Sequence, residues 1–136
     1  PGNFHLSPNG VFAQDKTGRV HVATTERFHA EVPDPLWTTQ SGPMLVINGE
    51  LHPRFDTDGP SRLIRNGVGV SDPHTAWFVI SEEGSSFGRF ARFFRDELGC
   101  ANALFLDGSV SSLWEPAAGR RDSHAELGPM VVVSRR

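Results

Sequence analysis

The chain has 136 residues, with 13 basic against 16 acidic side chains and a net charge of -3. That length suits one domain, residues 1–136, whose core needs neither disulfide nor metal staple. The charge balance offers nucleic acid or anionic membrane no global attraction, and no apolar run approaches the roughly 20 residues of a bilayer-spanning helix.

In chain order, Gly10 to Gln14 reads as a strand, Asp15-Lys16-Thr17-Gly18 as a turn, and Val20, Val22 and Thr24 as the alternating face of a returning strand. Thr24 or Thr25 can cap a short helix carrying Phe28 and Val32, which Pro33 ends. Pro43 sits at the start of the apolar strand Met44-Leu45-Val46-Ile47, and Asn48-Gly49 predicts a tight hairpin after it. Pro53 to Ser61 is a polar loop. Arg62 to Val70 then runs to the turn at Asp72-Pro73-His74-Thr75, and Ala76 to Ile80 returns as a strand that delivers Glu82 and Glu83 to its far end.

The strongest helix follows. Ser85 or Ser86 caps it, and Phe87, Phe90, Phe94 and Leu98 recur at the spacing of one buried face before Gly99 stops it. Cys100 is the only cysteine, which excludes an intrachain disulfide, and its place before an apolar strand predicts a buried, inert thiol. Leu104-Phe105-Leu106 is a continuous apolar run, as a strand covered on both faces requires. Glu115 to Gly128 reads as loop, and Met130 to Val133 as a final strand. The expected class is α+β, a mixed and mainly antiparallel sheet with one principal packed helix from Phe87 to Leu98.

Three groups of residues can carry chemistry. Asp107-Gly108-Ser109-Val110-Ser111-Ser112 closes the central strand with one carboxylate, hydroxyls and backbone amides that suit an anion or a sugar. The same residues also suit a turn in which Asp107 caps local amides. Arg62 and Arg65, beside Asn66-Gly67, offer two guanidiniums to a phosphate, or a solvated strand edge. Glu82 or Glu83, with Asp107, could supply the two carboxylates that glycosidic hydrolysis uses, although acids ahead of a helix also favour its dipole. The histidines show no metal-ligand spacing, and neither a P-loop, a G-x-G-x-x-G nor a G-x-S-x-G is present, so no metal and no nucleotide cofactor is expected.

Four segments in order resemble the phosphodiester glycosidase domain family: Pro8 to Phe12, Ser41 to Gly49, Arg62 to Gly69, and Leu98 to Gly108 running on to Ser112. The resemblance implies hydrolysis of a sugar-1-phosphodiester of a glycan or glycolipid, with Asp107 in positioning or acid-base work; the reading of the residues adds Glu82 as the second catalytic carboxylate. It also implies Arg65 at the phosphate, Gly108 at the tip and a periplasmic or secreted location, while Arg62, Asn66, Ser109 and Ser111 join them around the substrate on the reading of the residues alone. Ser109 and Val110 stand where the family tip has two glycines, so a carbohydrate or phosphoglycan-binding module without turnover is the alternative. The family's upstream part has no counterpart here, so this chain is expected to be the C-terminal part of such a domain, with that upstream segment or a second copy as a possible partner.

Overall fold

The computed structural model describes residues 6–106, 108, 110–128 and 130–134. The expected first hairpin is β1 (Gly10–Asp15) and β2 (Val20–Thr24), paired antiparallel. Its turn is closed by Asp15, whose Oδ1 accepts from the Thr17 amide at 2.8 Å, the Thr17 hydroxyl at 2.6 Å and the Arg19 amide at 3.0 Å. These bonds and one from His21 hold the Asp15 carboxyl well below the usual carboxylate range. α1 (Thr25–Glu31) follows, with Phe28 and Val32 packed on Val11 and Ala13. β3 (Pro35–Ser41), which the sequence did not mark as a strand, pairs with β1 to complete a three-stranded sheet in the order β2-β1-β3. Its largely exposed residues carry no inward apolar alternation to announce it.

The larger sheet is built from β4 (Met44–Ile47), β5 (Glu50–Leu51), β6 (Asn66–Asp72), β7 (Thr75–Ile80) and β8 (Asn102–Phe105), in the order β5-β4-β8-β6-β7. Every described pairing is antiparallel. The Asn48-Gly49 turn takes the left-handed backbone that this dipeptide tolerates, φ 51° and 84°. Central β8 is buried on both faces, as its apolar run requires. Leu104 joins Phe12, Val22, Met44 and Val68 between the two sheets, while Ala103 and Phe105 face the helix.

That helix is α2 (Phe87–Arg92), continued by a π-type turn over Phe93–Glu97. Ser86 caps it, its hydroxyl accepting from the Arg89 amide at 3.2 Å. Phe90, Ala91 and Phe94 pack on Leu45, Val46, Ala103 and Phe105, and Gly99 leaves the helix at φ 63°. The glycines of β6 serve this packing: a Cβ on Gly69 would lie 2.5 Å from Phe94 Cδ1 and 2.7 Å from Cys100 Sγ. The layers are therefore α1, the small sheet, the large sheet and α2. This is the expected α+β architecture.

Two expectations are corrected. Glu115 to Gly128 is not all loop: β9 (Trp114–Glu115) and β10 (Arg120–Arg121) pair around a 3-10 turn at Pro116–Ala118, and Gly119 takes φ 68°. Met130 to Val133 forms no strand and lies exposed, because an apolar run becomes a strand only where a ladder partner accepts its backbone groups. No helix among the described residues is long and apolar enough to cross a membrane.

Candidate functional site

The site is built where the chain leaves β8 beside the start of β6. The Leu106 amide donates to the Asn66 carbonyl at 3.2 Å, and the Leu106 carbonyl accepts from the Ser41 hydroxyl. Gly108 lies against the Phe105 ring, where a Cβ would come within 2.8 Å of Cζ, so a larger residue there requires the ring to shift. Ser111, buried, accepts from Asn66 Nδ2 at 2.8 Å. Strand end and strand start are thereby stitched together. Gly108 and Ser111 line an open depression of about 240 Å³ with Leu63, Ile64 and His124.

Arg65 immediately precedes Asn66 and is buried beneath the Phe87 and Phe105 rings. It is only 1% exposed, covered by these rings and by the Ser61 and Ser85 backbone. Its amide donates to the Ser81 hydroxyl at 2.9 Å, its Nε to the Ser85 carbonyl at 2.6 Å, and its Nη2 to Ser61. The guanidinium lies 3.6 Å from the centroid of Phe87, which packs edge-on against Phe105. Burial pushes the Arg65 pKa down to about 10, which leaves it charged at neutral pH. Among the described residues no carboxylate pairs with it, and its Nη1 makes no hydrogen bond.

Other candidates are placed differently. Arg62 does not converge with Arg65: its guanidinium meets the exposed carboxylate of Asp58 at 2.6 Å. That bond holds the Asp58 carboxyl below its ordinary range. The Glu82 carboxylate is 73% exposed and ion-paired with Arg120. Arg120 also bonds Asp122, which raises the arginine's pKa and lowers that of the acid. Asn66, Gly108 and Ser111 are thus gathered at one strand junction. Arg65 precedes Asn66 but sends its guanidinium to Ser61, Ser85 and Phe87, outside the lining of the depression, and Arg62 and Glu82 are each held in an ion pair. Asp107 and Ser109 lie outside the described residues. Cys100 is 1% exposed, and burial lifts its thiol to about 11, as expected of an inert group.

The sequence reading missed His124 and the hairpin that carries it to the depression. Pro116 and Gly119 were the available signal, a turn bracketed by the residue that fixes φ and the residue that tolerates positive φ.

The sequence matches the family model described as phosphodiester glycosidase over residues 4–128. It is also 36% identical over 115 residues to the uncharacterised protein YigE of Escherichia coli (strain K12), an alignment covering 83% of this chain and 44% of that protein. The chain thus spans less than half the length of this curated relative.

Proposed function

The chain belongs to the phosphodiester glycosidase family, and from that premise we propose that it hydrolyses sugar-1-phosphodiester groups of glycans or glycolipids at the junction of β6 and β8. The observation that carries this reading is Arg65: a buried guanidinium without a carboxylate among the described residues, beside a polar strand tip. An unpaired buried charge is costly, and an anionic ligand is the partner that offsets the cost.

In the proposed reaction water adds its oxygen to the anomeric carbon while the bond from that carbon to the phosphate oxygen breaks. The leaving phosphate keeps the bonding electrons, and the proton lost by water is taken up by a carboxylate. Asp107 is proposed for this proton transfer. Arg65 holds positive charge beside the phosphate, while Asn66 and Ser111 fix the tip. Periplasmic or secreted location belongs to the same proposal.

The test is release of free sugar from an α-N-acetylglucosamine phosphodiester. Wild-type protein is expected to release it, and Asp107→Asn to lose at least about 100-fold in rate while still folded. Full turnover by both Asp107→Asn and Arg65→Lys would remove these roles. A non-catalytic phosphoglycan-binding module is the second reading, favoured by the ion pair that occupies Glu82. Binding without sugar release would select it.

A further inference from the structure

Trp114 is 56% exposed, against 39% for Trp37 and 42% for Trp77. Its ring is nevertheless fixed. The indole N–H donates to the Asp122 carbonyl at 2.8 Å, and the Arg121 guanidinium sits 4.5 Å from the ring centroid. Arg121 is also the direct cross-strand partner of Trp114 in the β9-β10 hairpin. Asp122 accepts from the Leu113 amide at 2.9 Å, and Arg120 ties the hairpin to Glu82. Arg121 covers one side of the ring, and the more than half of the residue that stays exposed is held in one orientation, which suits a ligand.

Its position supports the same conclusion. The two ends of the hairpin segment supply Ser111 and His124 to the depression that Gly108 lines. Trp114 is three residues beyond Ser111, which limits the separation of their Cα atoms to about 11 Å. That is within the reach of one sugar ring and its linking phosphate. A pyranose presents a face of C–H groups that matches an indole, and a phosphate matches a guanidinium.

Resting on the glycosidase reading, we infer that Trp114 and Arg121 form a sugar-phosphate subsite at the rim of the depression: the indole stacks on a pyranose ring and Arg121 meets the linking phosphate.

The probe is methyl α-N-acetylglucosaminyl phosphate, titrated into the full-length protein with binding, sugar release and indole N–H resonances followed together. The Trp114 resonance is identified by its loss in Trp114→Phe. It is expected to shift on titration; Trp114→Ala should weaken binding about tenfold and Arg121→Gln similarly, with Trp114→Phe nearer wild type. Trp77→Phe is the control and should bind normally. Thermal unfolding checks that each variant is folded. Wild-type binding and turnover with a static Trp114 resonance and an unaffected Trp114→Ala overturns the subsite alone. A shifted resonance with weakened Trp114→Ala binding but no sugar release supports the subsite and overturns hydrolysis. Neither binding nor release by wild type overturns both.

Discussion

Arg65 and His52 are the large polar side chains that the fold buries most completely, each 1% exposed. Arg65 spans Ser61 and Ser85 with a planar fork that a lysine ammonium cannot reproduce. Arg65→Lys should therefore lose about 2–4 kcal/mol of stability in urea unfolding. A loss below about 0.5 kcal/mol would mean that this fork contributes little. His52 Nδ1 accepts from the Arg54 amide at 3.2 Å, so Nε2 carries the proton and donates to the Ser7 carbonyl at 3.1 Å. Burial, aided by the charge of Arg54, lowers its pKa below the ordinary histidine value. The unfolded chain then binds the proton first as pH falls. Stability should be complete above about pH 6.5 and decline below it, by at most about 1.4 kcal/mol per pH unit. Unfolding between pH 7.5 and 5 tests this, and His52→Gln should flatten the slope; an unchanged slope would assign the effect elsewhere. Neither burial was legible in the sequence. An arginine three residues after another reads as a phosphate ligand or a solvated strand edge, and a lone histidine in a polar stretch reads as surface.

At the scale of elements, local rules worked where cap, period and turn agreed. Ser86, the Phe87-Phe90-Phe94 spacing and Gly99 all marked the same helix, and Asn48-Gly49 marked its hairpin. The cap is testable: Ser86→Ala should cost about 1 kcal/mol, measured by thermal or urea unfolding. Gly88 carries a constraint the sequence did not display. A side chain there would collide with the Asp56 carbonyl oxygen and approach that of Thr57 to 2.8 Å. Gly88→Ala should therefore destabilise by about 1–3 kcal/mol, although alanine favours an isolated helix. A stabilised Gly88→Ala variant would show that the loop at 56–57 moves freely away. The β9-β10 hairpin and the isolated run Met130 to Val133 went the other way, since partner strands decide both.

Across the whole molecule, Phe12 joins the two sheets. It is buried with Met44, Val68 and Leu104 and makes edge contacts with Trp37 of β3 and Phe78 of β7, at 5.1 and 5.4 Å. Phe12→Ala should cost about 3–5 kcal/mol and leave one cooperative transition. Two separated transitions would show that the sheets are independently stable. The sequence by itself determined the class, the principal helix, the hairpin turns at Asp15 to Gly18, Asn48-Gly49 and Asp72 to Thr75 and the apolar strand that ends at the polar tip, because periodicity, caps and turn residues act over a few neighbours. Only the tertiary structure decided that Arg65 lies under cover without a carboxylate among the described residues, that Glu82 is held by Arg120, and that His124 reaches the depression. Burial and ion pairing depend on which distant segments meet, and residues 38 positions apart, such as Glu82 and Arg120, leave no local pattern that records their contact.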